Sequence, residues 1–213
     1  MTRASIKEEF DMYVCNAELT NFVSDKCSQY YNLTDSFVRK FEYVSHRSSH
    51  DVMFNIYENP FCMTIEEFSE FCKIPYWGTC IEPRKSDCNE FLMSITRGET
   101  RGITQATMGS IHFPAIHYPA LFIARCINGK QDPSHLCAPN LSILKSMVLR
   151  DRQFNIGAIV ACHFHNNALV RDLFGGIYAT RLAAHLGVPV KENDTLLPPI
   201  FLDYEAMEHH QFI

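Results

Sequence analysis

The stretch from Asn155 to Leu186 constrains the fold more than any other part of the chain. Asn155 is a residue type that caps helix N-termini, and Ile156 to about Val170 reads as the helix it would open. On a helical wheel its apolar side chains lie nearly all round, broken only by His163, His165, Asn166 and Asn167. A helix that is apolar on every side has to be surrounded by protein. Gly175-Gly176 then separates it from a second helix, Ile177 to Leu186, closed by Gly187 with Pro189 soon after. The pattern predicts two closely packed rods at the heart of a bundle, with their apolar sides consumed internally rather than lining a reaction chamber.

Helical spacing recurs through most of the remaining sequence. Met1 to Met12 is polar and reads as loose. Leu19, Phe22, Val23 and Cys27 mark one amphipathic helix within Ala17–Tyr30, and Phe37, Val38, Phe41 and Val44 mark a second, capped by Asn32 or Thr34. One β signal stands out. Val52, Phe54 and Ile56 alternate with Met53, Asn55 and Tyr57, then Glu58-Asn59-Pro60 turns the chain into Phe61-Cys62-Met63. Thr64-Ile-Glu-Glu67 is a capping box, so a helix follows the hairpin and ends before Pro75. Further helices are expected after Ser86, over Thr104–Ser110, over Ala115–Ile127 with Pro119 tolerated only in a first turn, after Asn140, and after Asp203. The predicted architecture is all-α: a single-domain helical bundle of about eight helices with one small β-hairpin.

With a hydrophobic fraction of 46% over 213 residues, the chain can bury a core without staples. No apolar run reaches the roughly 20 residues of a membrane span, and Met1–Phe10 has no secretory h-region. The glycosylation-like triplets at Asn32, Asn140 and Asn193 are therefore read as chance. The nine cysteines form no C-x-x-C pair and no zinc-knuckle spacing, which points to reduced thiols and an intracellular setting, nucleus or cytoplasm.

The net charge of −5 is unevenly spread: residues 1–100 carry −6, residues 101–190 carry +5 and residues 191–213 carry −4. The basic middle offers Arg101, Arg125, Lys130, Lys145, Arg150, Arg152, Arg171 and Arg181 as phosphate contacts, with Arg181 and His185 one turn apart on the predicted polar face of their helix. These cations are equally suited to pairing with the acidic first half inside the fold, and no nucleic-acid-binding module is recognisable.

Cys162 and His165, at i and i+3 of the central helix, are the most metal-like pair; His135 or Cys137 would have to complete the shell. Nothing in the sequence places His112 or His117 beside a cysteine nucleophile, and His209-His210 reads as a solvated end. Asp51, Asp87, Asp132, Asp151 and Asp172 are available for two-metal phosphoryl transfer, but each lies beside polar or loop signals. There is no P-loop and no G-x-G-x-x-G, so no cofactor and no small-molecule substrate is indicated. Gly175-Gly176 reads as a tight inter-helix turn rather than an anion site.

Several blocks resemble one family. They are Thr64-Ile-Glu-Glu-Phe-Ser-Glu-Phe-Cys-Lys-Ile-Pro-Tyr-Trp-Gly78, Arg101-Gly-Ile-Thr-Gln105, Ile111-His-Phe-Pro-Ala115, Gly129-Lys-Gln-Asp132, Leu136-Cys-Ala-Pro139, Asn155-Ile-Gly-Ala158 and Gly175-Gly-Ile-Tyr-Ala-Thr-Arg-Leu182. Together they resemble the plant transposon protein domain of Athila-like, Gypsy-class retrotransposons, over roughly residues 30–210. A more distant likeness to the plant mobile domain serves as analogy for a helical fold. The resemblance implies residues 1–30 as an N-terminal extension with one helix and residues 31–213 as the domain. It implies a mobile-element origin and supplies no catalytic residues. The expected role is a non-enzymatic interaction or assembly domain from the gag side of such an element, self-associating or contacting nucleic acid. A metal-dependent, transposase-like enzyme and an element relic without selected function are the alternatives.

Overall fold

The computed structural model describes residues 3–46, 49–100, 102–129, 134–168 and 173–198. Among them the order is α1 (Arg3–Asn16), α2 (Thr20–Ser24), α3 (Tyr31–Arg39), β1 (Glu42–Ser45), β2 (His50–Ile56), β3 (Asn59–Thr64), α4 (Ile65–Cys72), α5 (Lys85–Ile95), α6 (Pro114–Phe122), α7 (Ala138–Leu149), α8 (Ile156–Asn167) and α9 (Gly176–His185). The fold is mainly helical, as expected, but the hairpin is part of a three-stranded antiparallel sheet in the order β1-β2-β3.

The extra strand comes from the expected second helix. That helix stops at Arg39, and Glu42–Ser45 pairs with β2 from Glu42↔Met53 to Ser45↔His50. Tyr43 and Val44 are strand-forming types, and Phe41 at the bend is buried against Phe54, Phe68 and Phe164. The β2–β3 register follows the alternation, with Val52↔Met63 and Phe54↔Phe61 on the core side. The turn is tighter than the sequence suggested: Tyr57, at φ 55°, and Glu58 make it, while Asn59 and Pro60 already belong to β3.

Both sheet edges are closed to further pairing at specific points. On β1, the Tyr43 N–H donates to Nδ1 of His165 at 3.3 Å. On β3, Pro60 has no N–H to give, and the Thr64 N–H goes to Glu67 Oε2 at 2.9 Å. That last bond is half of the expected capping box, completed by the Glu67 N–H to Thr64 Oγ1 at 3.2 Å.

Residues 3–12 are helical rather than loose. Phe10, Tyr13 and Val14 of α1 are buried, and α1 packs on α6 and α7, with Phe10 edge-on to Phe122 at 5.5 Å. Pro119 lies inside α6, not in its first turn. The helix accommodates it by widening into a π-helical stretch, Ile123–Ile127, closed by the Asn128 N–H to Ile123 O at 2.9 Å. The expected short helix over Thr104–Ser110 is two 3-10 turns. The start of α3 is capped by neither Asn32 nor Thr34. Asp194, far along the chain, accepts from the Asn32 and Leu33 N–H groups at 2.8 and 3.0 Å. The helix expected after Asp203 lies outside the described residues.

α8 and α9 do sit in the core. Asn155 caps α8, its Oδ1 accepting the Ala158 N–H at 2.9 Å. The two helices do not pair along their length, however. They share α4 as a neighbour and touch through Phe164 and Tyr178, whose rings stand edge to face at 5.1 Å. Two glycines permit this. A Cβ on Gly157 would lie 2.0 Å from Ser69 Oγ on α4, and one on Gly175, at φ 81°, would lie 2.4 Å from the Phe164 ring.

Candidate functional site

Cys162 and His165 face different surroundings despite their i, i+3 spacing. His165 is exposed and holds the β1 edge, with Nδ1 accepting from a backbone N–H. Cys162 is half-buried and turns toward α7. Among the described residues no group of three or more His, Cys, Asp or Glu side chains is placed to hold a metal ion.

What Cys162 does line is a small cavity of about 80 Å³ between α8 and the first turn of α7, together with Glu82, Cys137, Asn140, His163 and Asn167. Its walls are set by helix starts and spacing. Cys137 is the N-cap residue of α7, and Pro139 pre-sets the first turn. Asn140, expected as a cap, is instead inside the helix and only 3% exposed. Its Oδ1 accepts from Asn128 Nδ2 at 2.5 Å and from the Cys137 thiol at 3.2 Å, while its Nδ2 has no partner.

The His163 ring is fixed by two neighbours. The Asn128 carbonyl, 2.8 Å from Nε2, can only accept, so Nε2 carries a proton. Nδ1 lies 3.3 Å from the amide nitrogen of Asn167, a donor, so it acts as the acceptor. Burial pushes the Cys162 thiol up to about 11, and the Glu82 carboxylate adds to the shift. A protonated thiol beside an imidazole whose ε proton is committed to a carbonyl is not an activated nucleophile. The volume is also well below the roughly 300–1,000 Å³ of pockets that enclose metabolite-sized ligands.

Four of the eight basic residues expected to meet phosphate meet protein instead. Arg181 is the clearest correction: it is not on a polar face but 5% exposed. Its guanidinium donates to Cys72 O at 2.7 Å, Phe22 O at 2.8 Å and Asp25 O at 2.7 Å, and lies 4.7 Å over the Phe22 ring. Nε stands 3.2 Å from Asp25 Oδ2. His185, its expected companion, stacks on Phe71. Lys145 pairs with Asp151 at 2.5 Å. Arg150, in the left-handed conformation that ends α7, reaches Asn16 Oδ1 at 2.8 Å. Arg152 pairs with Glu18 and lies over Trp77 at 5.6 Å. Arg125 is half-buried beside a second cavity of about 270 Å³, near Gln29 and Phe174. Arg101, Lys130 and Arg171 lie outside the described residues.

The carboxylates are likewise occupied one by one. Asp87 accepts the Arg84 N–H at the start of α5, Asp151 accepts the Gln153 N–H as well as Lys145, and Asp51 accepts from Ser49. Asp132 and Asp172 lie outside the described residues.

Nothing local in the sequence signals how the loop between α4 and α5 is pinned. Gly78, at φ 82°, lets the backbone approach residues 152–154, where a Cβ would lie 2.7 Å from Arg152 O. Thr79 then bridges to Phe154: its N–H donates to Gln153 O, and its carbonyl accepts the Asn155 N–H, both at 2.9 Å. The loop so pinned leaves Tyr76 and Ile81 exposed, Ile81 at 64%.

No helix among the described residues is long and apolar enough to cross a membrane. Comparison with known proteins finds no matching family, no matching curated protein and no matching solved structure.

Proposed function

We propose that this chain is a non-enzymatic interaction or assembly domain, of the kind the resemblance to the gag side of plant LTR retrotransposons implies. It works by self-association or protein contact through side chains on its helical and loop surface. One observation carries the reading: the side chains with chemical potential are spent inside the fold, while apolar ones stand out on a pinned loop. Arg181, His163 and Cys162 are engaged or protonated, whereas Tyr76 and Ile81 are displayed on a segment fixed to residues 152–155. Rigid apolar side chains beside a neighbouring Arg and Trp are the composition of interface anchors. Protein contact is favoured over nucleic acid because Lys145, Arg150, Arg152 and Arg181 each already have a protein partner.

The test is size-exclusion chromatography with light scattering over a hundredfold concentration range, alongside gel shifts with RNA and DNA at 50 and 200 mM salt. The expected result is concentration-dependent association that Tyr76→Ser plus Ile81→Ser weakens, with little nucleic-acid binding. A monomer at every concentration that shifts RNA in a salt-dependent way would overturn it.

A further inference from the structure

One short segment of the chain is bound by the rest of it as a ligand would be. The first N–H groups of α3 have no acceptors within their own helix, and its N-cap residue, Tyr30, supplies no side-chain bond. Residues 194 and 195 meet them instead. The Tyr31 N–H donates to Thr195 O at 2.8 Å, and the Asn32 and Leu33 N–H groups donate to the two carboxylate oxygens of Asp194 at 2.8 and 3.0 Å. The Tyr57 hydroxyl, from the β2–β3 turn, donates to the same carboxylate at 3.0 Å. The Leu197 N–H then donates to Gln29 O at 2.8 Å, and Leu196 pairs antiparallel with Tyr30.

The two sides of this contact are unequal. Gln29, Leu33 and Thr34 on the receiving side are buried. From Lys191 to Pro198 no residue is buried: Asp194 and Leu197 are half-buried and the others exposed, Leu196 at 63%. Hydrogen bonds rather than apolar area therefore hold the segment, and water replaces such bonds at small net cost. A segment of this kind opens at a fraction of the free energy that unfolds the core. Opening uncovers a row of backbone donors at a helix start, which favours an anion, beside a backbone acceptor, which favours an N–H.

We infer that residues 191–198 are a releasable strap, and that the edge they cover, Gln29–Leu33 with the Tyr57 hydroxyl, docks an extended acidic segment of a partner protein. The strap supplies the pattern: a carboxylate in the place of Asp194, a backbone carbonyl at the next residue and a backbone N–H two residues further on. The carboxylate carries the specificity, and the main-chain bonds tolerate many sequences. The site uses none of the loop that displays Tyr76 and Ile81, so it stands whether or not the chain self-associates.

The experiment measures the anisotropy of a fluorescent peptide with the sequence of residues 190–198 against the native full chain and its Asp194→Ala and Leu197→Pro variants. The first substitution withdraws the strap's carboxylate and the second its N–H, and both leave the receiving residues unchanged. Saturable binding is expected to each variant that keeps the native circular dichroism spectrum. The native chain should bind at least about tenfold more weakly, because its own strap competes at a high effective concentration. Replacing the peptide's aspartate by alanine should weaken binding to the Asp194→Ala chain by about tenfold, the scale of one charge-assisted hydrogen bond. Adding Tyr57→Phe to that chain should weaken the original peptide severalfold. Equal binding to the native and variant chains, no binding to any folded variant, or an alanine peptide that binds as well as the original overturns the inference. Loss of the native spectrum in both variants overturns it too, since the strap would then belong to the folding unit.

Discussion

Arg181 replaces what would otherwise be several unsatisfied groups. Three carbonyls from two separate parts of the chain, Phe22 and Asp25 on one side and Cys72 on the other, converge on one guanidinium. Arg181→Met keeps the volume and strands those acceptors, so chemical denaturation should register a loss of about 3 kcal/mol. Arg181→Lys should recover only part of it, since an ammonium lacks the planar fork. The partner of this site, Asp25, adds a pH signature. The hydrogen bond from Lys73 holds its carboxyl below the ordinary value; burial opposes this, and the Arg181 charge reinforces it. A carboxyl with a lowered folded-state pKa stabilises the fold above its unfolded value and loses that contribution as pH falls through the folded one. Stability should therefore drop as pH falls below about 4, and Asp25→Asn should be less stable at neutral pH and flatter across that acid range. The sequence hid Arg181 because a lone arginine among Ile177, Tyr178 and Leu182 is the residue a helical wheel assigns to solvent. Its acceptors lie more than a hundred positions away.

At the scale of elements, what could be read was what is local. The Thr64–Glu67 box, the Asn155 cap, the β2–β3 alternation and the Gly187 stop each depend on neighbours within a few residues, and each is present. What could not be read is long-range. Asp194 caps α3 from the far end of the chain, and Phe41 ends a helix because aromatic neighbours from β2, α4 and α8 surround it. The candidate site fared the same way. Cys162 was visible, but Asn140 looked like a cap and Glu82 had no pattern, because the cavity arises only where α7 meets α8. The α4–α8 crossing gives a direct check. Gly157→Ala pushes a methyl group against Ser69 Oγ, and overpacking of this kind costs about 1–3 kcal/mol. Ser69→Gly in the same chain should restore part of the loss, and a double-mutant cycle by urea unfolding measures the coupling.

For the molecule as a whole, the thiols report on packing. None of the nine cysteines is in a disulfide; Cys15 and Cys62 are exposed, while Cys72, Cys88 and Cys126 are buried. Burial also pushes the Cys72 and Cys88 thiols up, which removes the reactive thiolate. A colorimetric thiol reagent should label Cys15 and Cys62 at once and reach Cys72, Cys88 and Cys126 only as fast as the fold opens. Reducing agent should leave the melting temperature unchanged. Rapid labelling of Cys72 in native buffer would mean that α4 does not sit where it is described.

His165 at one margin of the sheet, and Pro60 with Glu67 at the other, bear on how copies of this chain can come together. A ribbon stopped at both selvedges is poorly suited to being lengthened by strands from another molecule. A filament or shell built from this unit would then be glued by interchangeable surface residues, so it could be taken apart by exchanging one of them while each building block stays folded.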